Sequence, residues 1–196
     1  MTQESDGVSF GRKVVLRHKR AADAVDDYRW RRDSELAELD AAVPLRMPFE
    51  EFQSRYEEEL RYPTPWVRRF AVATHDGEHI GNCMAYDIDS VTGEGEAGIM
   101  IGERAYWGKG YGREAMAQLL AQCFLMPSIN RIYLHTLEWN ARARKAFAGV
   151  GFEEVRQVRR AGKNFILMEI RRPRWESTQA AAALGTNDAE ESAPSS

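Results

Sequence analysis

The sequence predicts an α/β (α+β) domain, and three observations carry that expectation. Strand-like and helix-like patterns alternate along the chain in the order β-α-α-β-β-β-α-β-α-β-β. Between Glu96 and Pro127 a buried-strand pattern, a run of alternating glycines and an amphipathic helix follow one another. The composition, 43% hydrophobic and 29% charged over 196 residues, suits one water-soluble globular domain.

Val14–Leu16 reads as the first strand, and Asp23–Arg32 as a helix with Ala24, Tyr28 and Trp30 partly on one face. Met47-Pro48 opens a second helix, where Phe49, Phe52, Tyr56 and Leu60 recur at helical spacing and Pro48 suits the first turn. Pro63 and Pro65 close it. Val67–Thr74 and His79–Ile88 form strands around the tight turn at His75-Asp76-Gly77-Glu78, and Thr92-Gly93 turns the chain into the strand before the glycines. Beyond them Met116, Leu119, Leu120 and Cys123 make a helical stripe that Pro127 ends. Arg131–Leu137 is a strand, Asn140–Val150 a helix closed by Gly151, and Phe152–Arg159 with Asn164–Ile170 a hairpin across Ala161-Gly162. Residues 1–12 read as flexible. Residues 177–196, low in aromatic and branched side chains, read as a disordered tail, leaving 13–176 as the folded domain.

The formal charge is −3, and Asp188, Glu190 and Glu191 in the tail account for it. A balanced body argues against a nucleic-acid partner. No segment approaches the ~18–20 apolar residues of a membrane span, and the start lacks the pattern of a signal peptide. Cys83 and Cys123 sit in apolar patterns without metal-ligand spacing, as buried reduced thiols of a cytoplasmic protein would. His18, His75 and His79 also lack partners at such spacing, so no metal is expected.

The run Trp107-Gly108-Lys109-Gly110-Tyr111-Gly112 leads straight into the helix at Arg113. Glycines permit close backbone approach by a ligand, and a helix start presents unpaired N–H groups and a positive dipole end. A phosphate or pyrophosphate fits such a site. The spacing differs from a Walker loop, which needs Ser or Thr after the lysine, and from the dinucleotide turn G-x-G-x-x-G. An ordinary glycine-rich strand-to-helix turn is the plain alternative.

Ile99–Ala115 resembles the acetyl-CoA-binding signature [QR]-x-x-G-x-[GA] of the GNAT N-acetyltransferase superfamily, with Gly110 and Gly112 at the glycine positions. Trp107 replaces the leading Gln/Arg, a substitution familiar in the branch that modifies ribosomal-protein N-termini, polyamines and some antibiotics. A second block, Asn140-Ala-Arg-Ala-Arg-Lys-Ala-Phe147 through Gly151-Phe152, is similar to the superfamily's N-x-x-[SA]-x-x-x-Y-x-x-x-G-F. The resemblance runs from about Val14 to Trp175 and includes Trp30-Arg-Arg-Asp33-Ser-Glu35-Leu36. It implies the GNAT fold, a mixed, mostly antiparallel central sheet flanked by about four helices. It also implies an acyltransferase, an N-acetyltransferase that moves acetyl from acetyl-CoA, as cosubstrate, to a primary amine on a peptide N-terminus, polyamine or antibiotic. A homodimer is compatible with it.

On that resemblance Gly108, Lys109, Gly110, Tyr111, Gly112 and Arg113 hold the pyrophosphate, beside Trp107. Met100 and Ile101 offer a free strand edge to the pantetheine arm where their strand splays from Arg131–Leu137. Asn140 bonds the arm or holds the opening. Arg144 and Lys145 face the phosphates or form a solvated helix face. The attacking amine must be neutral. Deprotonation at pH 7 costs ~4.6 kcal/mol at a pKa of ~10.4, but only ~1–1.4 for an α-amine near 7.7–8.0. His135 and Glu96 are the candidate bases, and Glu138 a third. His135 reads equally as a structural strand residue, and Glu96 as an exposed strand-end carboxylate. Phe147 stands where the family has its tyrosine acid, so that role does not carry over, and Tyr106 and Tyr111 are the nearest substitutes. A catalytically weak acyl-CoA-binding regulatory module is the competing reading.

Overall fold

The computed structural model describes residues 7–179. Eight strands form one sheet, β1 (Gly7–Phe10), β2 (Val15–His18), β3 (Arg68–Ala73), β4 (His79–Asp89), β5 (Glu94–Ile101), β6 (Arg131–Leu137), β7 (Glu153–Arg160) and β8 (Lys163–Arg171). Their spatial order is β1-β2-β3-β4-β5-β6-β8-β7, and every neighbouring pair is antiparallel except β5–β6. Five helices flank it, α1 (Ala24–Arg32), α2 (Ser34–Leu39), α3 (Phe49–Arg61), α4 (Tyr111–Phe124) and α5 (Ala141–Ala148), and residues 172–179 are helical. The mixed, mostly antiparallel sheet is the expected one.

Three features depart from the sequence reading. Part of the segment expected to be flexible, Gly7–Phe10, is a strand, because β2 supplies it with an antiparallel partner. α2 was not expected. It forms because the chain leaves α1 at Asp33 with ψ 125°, and the Asp33 carboxylate then accepts the N–H groups of Glu35 and Leu36, both at 3.0 Å. The expected tail begins inside a helix, since 177–179 continue the helical stretch. Residues 1–6 and 180–196 lie outside the described residues.

Directly paired residues share a sheet face. Cys83, Ala85, Ala97 and Ile99 point toward α4, whose Ala115, Met116, Leu119, Leu120 and Cys123 are buried against them in one apolar core. Cys83 and Cys123 are free buried thiols, and burial pushes Cys123 up to about 12. Asn82, Tyr86 and Glu96 occupy the opposite face, under α1 and α2. There Asn82 Nδ2 donates to Asp27 at 2.5 Å and Lys19 Nζ to Asp27 at 2.6 Å. Arg17 grips Asp23 with two bonds of 2.7 and 2.8 Å. Trp30, 1% exposed, lies flat over Gly102, where a β-carbon would stand 2.1 Å from the indole.

Candidate active site

The parallel seam between β5 and β6 is short. Glu94 pairs with Arg131, Gly95 with Ile132 and Glu96 with Tyr133, and no further pair joins the two strands. Beyond that point β5 runs on to Ile101 and β6 to Leu137, diverging around a cavity of about 920 Å³. A volume of this size matches the upper range of small-molecule sites.

The glycine loop closes one end. Gly108 and Gly110 adopt φ +70° and +88°, a left-handed backbone in which an L side chain is strained. Gly110 thereby becomes the N-cap of α4. The first helical bond runs from the Glu114 N–H to the Gly110 carbonyl at 3.0 Å, so Tyr111, Gly112 and Arg113 turn N–H groups outward without helical partners. These donors, the dipole and the cations Lys109 and Arg113 suit an anion.

Trp107 shows what replaces the usual polar residue of the signature. Its indole Nε1 donates to the Ile101 carbonyl at 2.7 Å, tying the loop to the end of β5, and the Arg142 guanidinium lies 4.0 Å over its ring. Among the expected ligand-holding residues, Met100, Ile101, Trp107, Gly108, Lys109, Gly110, Gly112, Arg113, Asn140 and Phe147 all line the cavity. Tyr111 does not; it packs on Tyr106 at 4.8 Å between ring centroids. Asn140 Oδ1 caps α5 through the Ala143 N–H at 3.1 Å, which fixes the helix that forms the far wall.

His135 and Glu96, rival bases in the sequence, are partners in space. His135 Nδ1 lies 2.8 Å from Glu96 Oε1, with both side chains nearly buried. A carboxylate only accepts, so this bond requires the tautomer protonated at Nδ1, which leaves the Nε2 lone pair free; the Arg160 guanidinium also lies 3.4 Å from Nδ1. His135 lines the cavity whereas Glu96 sits behind it. Tyr133 meets the imidazole edge-on at 5.9 Å.

Other expectations are corrected. Glu138 is turned away, accepting from Gln157 at 2.6 Å and Asn164 at 3.1 Å. Arg144 is spent on Glu154 at 2.8 Å and on the Glu138 carbonyl at 3.0 Å, so it does not face phosphates. Lys145, its neighbour, does line the cavity. The Tyr106 hydroxyl donates to Glu78, which raises its pKa to about 12 and commits its proton away from the site. Phe147 lines the cavity and packs on Phe152 at 6.0 Å, offering no proton.

Two groups escaped the sequence reading. Lys13, in the turn after β1, donates from Nζ to the Lys109 carbonyl at 2.8 Å. The N–H groups of Lys13 and Val14 bond Glu114 Oε1 at 2.7 and 3.1 Å, and Gln118 Nε2 donates to the Val14 carbonyl at 3.0 Å. The turn after β1 thus clamps the loop and the first turns of α4. Arg142 is the second. Arg142, one of three cations at the start of α5, gives no separate sequence signal until Trp107 is seen beneath it.

The described residues contain no helix long and apolar enough to cross a membrane. Comparison with known proteins agrees with this geometry. A family model described as "Acetyltransferase (GNAT) domain" matches residues 13–153. Among similar solved structures is a spermidine N-acetyltransferase from Vibrio cholerae in complex with CoA and spermine. It is 20% identical with a TM-score of 0.74, over 84% of this chain and 99% of that one. The aminoglycoside acetyltransferase AAC(6')-Ib, in complex with coenzyme A, is 21% identical with a TM-score of 0.70, over 85% and 99%. A protein from Bacillus halodurans matches at 19% identity and a TM-score of 0.69, over 84% and 88%. The structural likenesses establish the fold, and the family model, which spans most of the sequence, establishes that this chain is an acyltransferase belonging to the GNAT acetyltransferase family.

Proposed function

We infer that the protein is an N-acetyltransferase that moves the acetyl group of acetyl-CoA to a primary amine. One observation carries this reading. The three-pair seam opens into a cavity lined by the glycine loop that starts α4 and by His135, which is paired with Glu96.

The parts divide as follows. The amides of Tyr111, Gly112 and Arg113, with Lys109, bind the diphosphate. The unpaired edge of Gly98–Ile101 accepts the amides of the pantetheine arm as a neighbouring strand would. The amine, entering from the face under α2, attacks the thioester carbonyl with its lone pair. Its surplus proton passes to His135 Nε2, while Glu96 holds Nδ1–H and stabilises the imidazolium that forms. The C–S bond breaks and sulfur leaves as thiolate. A thiol of pKa ~8.5 leaves at pH 7 with a handicap of about 2 kcal/mol, so loss of a donor at Phe147 is tolerable.

The named functions of the similar structures support amines as acceptors. Release of thiol from acetyl-CoA, measured with peptide N-termini, spermidine and aminoglycosides, tests the reading. Saturable binding of acetyl-CoA with no thiol release from any amine would favour the acyl-CoA-binding module that Phe147 suggests.

A further inference from the structure

The cavity is electrically lopsided. Lys109 and Arg113 at the loop, with Arg142 and Lys145 on α5, place four cations toward the anion site. Asp40 is the one carboxylate residue among its lining, and it belongs to the opposite end, where α2 stops. The backbone there is held firmly. Asp40 N–H bonds the Leu36 carbonyl at 3.0 Å, and Ala41 follows in the left-handed conformation at φ +55°, which an alanine adopts only under constraint. The turn presents Asp40 and Ala41 to the cavity wall.

The carboxylate is reachable by solvent, yet surrounding protein atoms desolvate it and raise its pKa, offset in part by Arg31. Among the described residues it accepts no hydrogen bond. Its field reaches Tyr86, whose hydroxyl is pushed up by desolvation and then by Glu96, Asp87 and Asp40. Asp40 thus lies within electrostatic range of Tyr86, which shares a sheet face with Glu96 and, through it, with His135.

Resting on the acetyl-transfer reading above, we propose that Asp40 binds a second ammonium of the acceptor, so that the enzyme selects amines carrying another cation over monoamines. A diamine or polyamine held at both ends places one nitrogen at His135 and the other at Asp40. A carboxylate that accepts no hydrogen bond among the described residues gains a charge-assisted one from such a partner.

The test compares spermidine and putrescine with n-butylamine, using the full chain, wild type, Asp40→Asn and Asp40→Glu. Thiol release gives kcat and KM, and calorimetry of spermidine on the CoA-loaded protein reads binding without turnover. The wild type is expected to favour the polyamines in kcat/KM by about ten- to hundred-fold, the worth of a charged hydrogen bond. Asp40→Asn should erase that preference through KM, and Asp40→Glu should keep most of it. Equal use of mono- and polyamines by the wild type, or a preference unchanged in Asp40→Asn, overturns the proposal. Spermidine binding that Asp40→Asn abolishes, with no thiol release from any amine, would sustain the Asp40 site and sink acetyl transfer instead.

Discussion

His135 Nδ1 meets Glu96 Oε1 at 2.8 Å at the last position where β5 and β6 still run side by side. The contact spans the point of divergence, so the same register that opens the cavity also aims the imidazole into it. His135→Ala should lower kcat/KM for a high-pKa amine by ~100-fold or more, and the gap should narrow at pH low enough to protonate the imidazole. Glu96→Gln should cost less, since the ring stays in place but its proton is no longer held by a charge. Full activity of Glu96→Gln would leave His135 without the assigned partner.

At Gly110, strain and charge can be separated. A β-carbon there would meet only Lys13 Nζ, at 3.9 Å, so Gly110→Ala has room and suffers chiefly the left-handed φ, about 1–2 kcal/mol of stability. Gly110→Glu adds a negative charge to the anion site and should raise the acetyl-CoA KM at least tenfold beyond Gly110→Ala, the fold-change that ~1.4 kcal/mol of repulsion gives. Equal KM values for the two variants would place the diphosphate elsewhere.

Lys13 is predicted to act through the loop rather than on the chemistry. Lys13→Met removes its bond to the Lys109 carbonyl but keeps the apolar stem near Tyr111. Acetyl-CoA KM should rise about three- to tenfold, the value of one hydrogen bond, with kcat nearly unchanged. A drop in kcat at constant KM would contradict a loop-holding role.

Asp23 gives an acid-stability test. Burial pushes its carboxyl up, but the Arg17 pair and the Arg20 N–H outweigh this and hold it below the usual value. A depressed folded pKa stabilises the protein above the unfolded value of ~3.9, and that gain fades as pH falls through the folded value. Asp23→Asn should lose about 3–5 kcal/mol at pH 7, as broken buried pairs do. The urea midpoints of the two proteins should draw together as pH falls through the folded value. A gap constant from pH 7 to 2.5 would exclude the ionised pair as its source.

Much of the site was legible because it is written locally. Alternating glycines before an apolar stripe can scarcely be anything but a loop entering a helix, and the turns expected at Gly77 and Gly162 each hold their glycine at positive φ. What was hidden is long-range. Glu96 and His135 lie 39 residues apart, and only sheet register joins them. Arg144 looked free until β7 brought Glu154 beside it. β1 has a weak pattern and exists by virtue of its partner, while α2 depends on one capping aspartate that sits between two helices.

The three-pair seam has a mechanical consequence. Five strands on one flank and three on the other form two plates that meet along less than half of β5. A molecule threaded through the gap is stitched to both plates at once and lengthens the weld between them. Loading with the acyl carrier should therefore slow amide exchange along Gly98–Ile101 and Leu134–Leu137 together, turning a split slab into a continuous one.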